Sequence, residues 1–253
     1  MDERATLAGR TLLVTGASSG IGAAVTLRLL SLGARVVGLA RRPERFVCPD
    51  KHVERFEALA LDLRQLDALP GALEGAARGG GWQLDGAVLA AGAGRFGSLE
   101  ELSYGQIREL IDLDLTAQIF CVRWLLPQLK RGRPRCGDVV LIGSEAGLSG
   151  GRRGAVYAAA KTGLQGLARA LRLETAKSGL RVTVINPGMV ETPFFEGQPF
   201  APGEGDDEHL LAEDVAAAVE LALTARPGAV FDEIDLSPQK TVLRFRRRRG
   251  DES

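Results

Sequence analysis

Short apolar runs alternate with longer stretches of helical spacing along this chain. The runs are Thr11–Val14, Arg35–Leu39, Leu59–Leu61, Ala87–Leu89, Val139–Ile142, Val182–Ile185 and Val230–Ile234. Most are unbroken and rich in Val, Ile and Leu, the pattern of parallel strands covered on both faces. Between them, apolar residues recur at helical spacing over Gly22–Leu32, Leu99–Leu129, Ala155–Lys177 and Glu213–Thr224. The alternation predicts an α/β fold, a single doubly wound parallel sheet with right-handed crossovers and helices on both faces. No repeat or long linker divides it, so one domain is expected over residues 1–236. Within it, residues from about 187 to 210 are irregular and rich in Gly, Pro and acid. Residues 237–253 form a basic tail expected to be flexible.

Composition narrows the function classes. The 253 residues carry 32 basic and 32 acidic side chains, and this neutral balance argues against nucleic acid as a partner. A hydrophobic share of 45% suits a large core, yet no run approaches the roughly 20 apolar residues of a membrane span. The segment Met1–Leu7 contains Asp2 and Glu3 and no apolar targeting core. Cys48, Cys121 and Cys136 are too scattered for a disulfide framework, which suggests a reducing compartment. His52 and His209 stand alone, so neither a zinc site nor a Ser-His-Asp triad is expected. These features predict a cytoplasmic protein without metal, membrane or nucleic-acid partners.

Chemistry enters at Thr15-Gly16-Ala17-Ser18-Ser19-Gly20-Ile21-Gly22, directly after the first predicted strand and opening a helix. Gly16 permits a tight turn, Gly20 lets backbone approach a pyrophosphate, and Gly22 allows close helix packing. The helix start offers free N–H groups and a positive dipole end, so the segment predicts a Rossmann-like dinucleotide site. The acid that would hold a ribose diol after the second strand is missing; Ala40, Arg41 and Arg42 stand there. Two guanidinium groups suit a 2′-phosphate, through charge-assisted bonds of roughly 1.5–3 kcal/mol each. NADP is therefore expected over NAD, the other reading being that both arginines are solvated surface charge.

Ser144 follows the fifth apolar run, and Tyr157 and Lys161 share one face of the Ala155–Lys177 helix at i,i+4 spacing. The strand after that helix leads into Asn186-Pro187-Gly188-Met189-Val190-Glu191-Thr192. Together with the Gly-rich loop, these ordered motifs resemble the short-chain dehydrogenase/reductase family, from about Arg10 to Ile234. The resemblance implies hydride transfer between a nicotinamide and a small-molecule carbonyl or alcohol substrate, with Tyr157 as general acid/base. Ser144 would bond the substrate oxygen, and Lys161 would hold the nicotinamide ribose and lower the pKa of Tyr157. A cation beside a phenol does favour the phenolate. By the same resemblance, Asp62 and Leu63 would meet the adenine. Ala90, Ala91 and Gly92 would admit the cofactor, and Pro187, Gly188, Val190 and Thr192 would surround the carboxamide. Asp62 alone reads equally as a helix cap.

Two positions depart from the family. Leu89-Ala90-Ala91-Gly92 stands where asparagines are usual, so the polar bonds they make must be lost or replaced. Asp114 replaces the asparagine that helps hold a relay water beside the lysine. A carboxylate can accept from such a water but donates only if protonated, and when ionised it offsets Lys161. These departures leave a second reading open, a non-catalytic NADP-sensing protein.

Other features read more plainly. Phe194, Phe195 and Phe200 in the irregular segment, and Phe96 near Gly92, line an apolar pocket or anchor a loop. Arg152 and Arg153, just before Tyr157, read as surface or subunit contacts, the other reading being that they meet a substrate carboxylate. Arg244–Arg249 is a terminal charge run, expected to be solvated. The family resemblance also implies a homo-oligomer, a dimer or tetramer paired through the helical stretches 99–129 and 155–177, where Ala155, Ala158, Ala159 and Ala160 would permit close approach.

Overall fold

The computed structural model describes residues 6–130 and 137–245. The first half runs β1 (Thr11–Thr15), α1 (Gly20–Ser31), β2 (Arg35–Ala40), β3 (Phe56–Ala60), α2 (Leu69–Gly80) and β4 (Gly86–Leu89). Then come α3 (Tyr104–Ile111), α4 (Ala117–Leu129), β5 (Asp138–Ile142), a single turn α5 (Ala146–Ser149), α6 (Ala155–Thr175) and β6 (Arg181–Pro187). The chain continues through β7 (Phe200–Pro202), α7 (Ala212–Thr224), β8 (Glu233–Leu236) and β9 (Leu243–Phe245). Seven strands form one parallel sheet in the order β3-β2-β1-β4-β5-β6-β8. The winding direction reverses between β1 and β4, so a crevice opens beyond their carboxyl ends.

Alternation along the strands builds two cores. Leu12 and Val14 of β1 face the layer holding α1 and α7, where Leu29, Leu30 and Val219 are buried. Leu13 faces the opposite layer, with Leu73 of α2, Leu125 of α4 and Leu171 of α6. Burying each such side chain contributes roughly 1.5–3 kcal/mol. At the amino ends of the strands, Asp138 sits between two buried arginines. It accepts from Arg10 at 2.5 Å and from Arg181 at 2.7 Å. Both guanidiniums also donate to the carbonyl of Leu223, tying the sheet to the end of α7.

The periodicity misplaces some elements. The apolar stretch 99–129 is not one helix. A capping box, with Ser103 Oγ accepting from Gln106 N and Gln106 Oε1 from Ser103 N, starts α3 afresh. A π-turn over Asp112–Thr116 then joins α3 to α4. Helix α2, with Pro70 in its first turn, lies where the apolar pattern suggested no element. The last sheet strand begins at Glu233 rather than Val230, because pairing with β6 sets its register and it is only partly buried. Within the basic tail, Leu243–Phe245 form β9, which pairs antiparallel with β7 in the irregular segment. Cys136 and Arg246–Arg249 lie outside the described residues.

Candidate active site

A cleft of about 1210 Å³ opens at the carboxyl ends of the strands. Its floor is the turn between β1 and α1. Gly16 and Gly20 have φ of +70° and +51°, which glycine adopts without strain. A Cβ on Gly22 would lie 2.2 Å from Gly16 O, and one on Gly20 3.3 Å from the Thr192 side chain. The loop is therefore closed by its own backbone and capped by Thr192. Ser18, Ser19 and Ile21 border the same space.

At one end of the cleft stand Arg41 and Arg42, exposed at the end of β2. Arg45, which the sequence pattern did not single out, lines this end too. Among the described residues, none of the three forms an ion pair, so their guanidiniums remain free to meet an anion. Asp62 and Leu63 lie nearby, but the Asp62 carboxylate is already engaged. It accepts from Arg64 N at 3.0 Å and from the Arg64 guanidinium at 2.7 Å, and these contacts hold its pKa low. It caps a turn rather than a helix, since the next helix starts only at Leu69, while the residue still borders the cleft.

The other end collects the reactive groups. Ser144 follows β5, while α6 presents Tyr157 and Lys161 one turn apart; all three are buried but line the cleft. Lys161 Nζ donates to Ile142 O at 3.1 Å and lies 5.6 Å from the centre of the Tyr157 ring. Burial pushes the Tyr157 phenol up. Lys161 pulls it down, as does a hydrogen bond with Ser144, while the charges of Asp114 and Glu145 push the same way as burial. Lys161 does pull this pKa down, as expected, but desolvation outweighs it and the net direction is upward.

Asp114 does not line the cleft. The π-turn carries it behind the wall, fully buried, with Oδ1 accepting from Ala93 N at 2.8 Å and Oδ2 3.7 Å from Lys161 Nζ. Burial raises its pKa to about 6 against the opposing pull of Lys161. The bonds absent from Ala90-Ala91-Gly92 are replaced from neighbouring elements. Thr15 Oγ1 accepts from Ala91 N, and Gln118 Nε2 donates to Ala91 O. Gln118 is fully buried for this reason, a role visible only once α4 is placed beside β4.

Pro187, Gly188, Val190 and Thr192 close the site from the end of β6. Glu145 is half-buried beside them, close enough that a Cβ on Gly188 would lie 2.7 Å from its Oε2, and burial raises its pKa. Over Tyr157 lies a group of connected rings. Phe96 is 5.3 Å from Tyr157 and 4.7 Å from Phe200, and Phe194 is 5.9 Å from Tyr157. Phe195 joins Phe194 to Phe200 at 5.1 and 5.7 Å. Leu243 and Phe245 of β9 extend the same wall. Arg152 and Arg153 also reach the cleft, and Arg153 is paired with Glu101 at 2.7 Å. Neither Glu145 nor the β9 residues were legible beforehand, since no sequence motif marks them.

Comparison with known proteins identifies the family and the fold. Residues 10–199 match the short chain dehydrogenase family. An uncharacterised oxidoreductase from Staphylococcus epidermidis is 28% identical over 227 residues, covering 89% of this chain and 96% of its own. A farnesol dehydrogenase from Aedes aegypti is 31% identical over 241 residues, covering 91% and 96% respectively. A dehydrogenase/reductase from Sinorhizobium meliloti superposes with a TM-score of 0.80 at 25% identity, over 92% of this chain and 96% of the other.

Proposed function

The chain belongs to the short chain dehydrogenase family, and from that premise we propose an NADP-dependent oxidoreductase that interconverts a carbonyl and its alcohol. One observation carries the reading: a single cleft has Ser144, Tyr157 and Lys161 at one end and, at the other, Arg41 and Arg42, which form no ion pair among the described residues. The residues present fit a dinucleotide. The Gly16–Gly22 turn leaves room where side chains would clash, and the helix start behind it favours phosphate. Arg41 and Arg42 suit the extra phosphate of NADP, with Arg45 beside them. The chemistry a bound nicotinamide supplies there is hydride donation to, or acceptance from, the substrate carbon.

In the reducing direction Ser144 and Tyr157 hold the carbonyl oxygen. Tyr157, kept protonated by burial, gives its proton to that oxygen as negative charge develops. The remaining phenolate lies beside Lys161, whose charge is held in place by Ile142 O and Asp114. In the oxidising direction Tyr157 must first lose its proton. The protein is further proposed to be cytoplasmic and to act on a small molecule.

The test is NADPH oxidation against ketones, aldehydes and 3-oxo acids. Tyr157→Phe should lower kcat/KM by about 10²–10⁴-fold; full turnover by that variant overturns the assignment. NADPH should bind at least about tenfold more tightly than NADH, and salt should narrow the difference. Ala40→Asp with Arg41→Ala and Arg42→Ala should reverse the ranking. Equal affinity of the wild type for both cofactors would leave the arginines as surface charge. Asp114 favours the second reading, NADP sensing without catalysis; tight NADPH binding, no turnover across the panel and a cofactor-dependent partner would establish it.

A further inference from the structure

The far side of the cleft, beyond the reactive hydroxyls, has its own chemistry. Phe96, Phe194, Phe195 and Phe200 form one connected wall with the Tyr157 ring. The wall depends on Gly94, where a Cβ would lie 2.5 Å from Phe194 and 2.8 Å from Phe96. The ring pairs are tilted or edge-on, and such an array presents ring faces and edges on which a flat hydrocarbon can stack. Leu243 and Phe245 continue the apolar surface toward the mouth.

Apart from Arg152, the charged groups at this end are either occupied or acidic. Gln198 Nε2 donates to Gly94 O at 2.7 Å. Arg153 is held by Glu101 and Ser98. Lys161 is buried against Ile142 O and Asp114. Glu145 adds a carboxyl group beside the reacting atoms. Arg152, exposed at the rim, is the one cation lining this end without an ion pair among the described residues. A substrate carboxylate seated near Ser144 would therefore meet acid and aromatic carbon before it met a free cation.

We infer that the substrate is a neutral, apolar carbonyl compound or its alcohol, with a flat or cyclic hydrocarbon body against Phe96, Phe194 and Phe200 and its oxygen at Ser144 and Tyr157. This rests on the oxidoreductase reading above and narrows it. The uncharged body excludes sugars, amino acids and short oxo acids as preferred substrates. Each methylene placed on the wall adds roughly three- to fourfold to kcat/KM, the equivalent of about 0.8 kcal/mol.

The experiment uses the purified full chain with NADPH and cyclohexanones bearing alkyl groups of increasing length, against acetoacetate and dihydroxyacetone. Binding of the corresponding cyclohexanols is measured by calorimetry in parallel. The expected result is kcat/KM rising with alkyl length and exceeding both polar substrates by more than about tenfold. Phe96→Ala and Phe194→Ala should each raise KM for the longest ketone about tenfold, with NADPH affinity unchanged and the Leu variants intermediate. Preferred turnover of acetoacetate or dihydroxyacetone, or a KM indifferent to these substitutions and to alkyl length, overturns the inference. Cyclohexanol binding that strengthens with alkyl length, without turnover by either nicotinamide cofactor, would sink the oxidoreductase reading and leave the apolar site standing.

Discussion

Asp114 shows how one atom changes the behaviour of a site. Its carboxyl group is buried beside Lys161, and its pKa of about 6 lies above the ordinary carboxylate value of 3.8. Between those values the folded protein binds more protons than the unfolded chain, so stability falls as pH rises through that window. Asp114→Asn has no proton to lose there. Denaturant titrations from pH 3.5 to 7 should show stability gaining less, or losing more, with rising pH in the wild type than in the variant; identical slopes would show that Asp114 titrates normally. Tyr157 gives the companion prediction. Since burial holds the phenol protonated, ketone reduction should stay level through neutral pH and fall on the alkaline side. Alcohol oxidation should climb over the same alkaline range. A reduction rate that falls from pH 6 to 8 would contradict the environment described for Tyr157.

Elements decide which of these groups meet. The π-turn over Asp112–Thr116 turns Asp114 inward, behind the wall that Tyr157 and Lys161 line from α6. The turn between β1 and α1 is equally exacting. A methyl group at position 22 would lie 2.2 Å from the Gly16 carbonyl, so Gly22→Ala must push α1 away from β1. Such crowding costs about 1–3 kcal/mol of stability, and NADPH affinity should drop with it. Unchanged melting temperature and unchanged NADPH affinity would refute that packing argument. Much of this was legible in the sequence because it is local: Gly16 to Gly22 are contiguous, Tyr157 and Lys161 share a helix face, and the strands are runs of Val, Ile and Leu. What escaped the sequence depends on elements far apart in the chain. Gln118 serves Ala91 only because α4 passes β4. Glu145 meets Gly188 only because β5 pairs with β6. Arg64 claims Asp62 at short range, yet the same guanidinium also reaches Glu109 on α3. Strand β9 was missed because three exposed residues, one of them charged, pair only when the 187–210 segment supplies β7.

For the whole molecule, assembly is the first expectation. Of the four alanines expected at a subunit seam, Ala158 and Ala160 are instead buried within the subunit; α6 exposes Ala155, Ala159, Thr162, Gly166 and Ala170, and Leu173 near its end is 80% exposed. Light scattering at micromolar concentration should give a dimer or tetramer, and Ala159→Trp should shift it toward monomer; a monomeric wild type refutes the proposal. The second expectation concerns the buried charges at the amino ends of the strands. Asp138→Ala leaves Arg10 and Arg181 buried without their carboxylate, a loss of about 3–5 kcal/mol, measurable as a lower denaturation midpoint. The same three residues constrain how the chain is made. Arg10 is translated early, whereas Asp138 follows it by 128 residues and the Leu223 carbonyl by 213. Until α7 has left the ribosome, that guanidinium lacks the Leu223 carbonyl, and Leu12 and Val14 of the first strand lack the α7 side of their core. A chain stopped at residue 211 should therefore remain protease-sensitive and unfold without a cooperative transition. During synthesis, chaperones should meet a nearly complete but open polypeptide, which closes only when its last helix arrives.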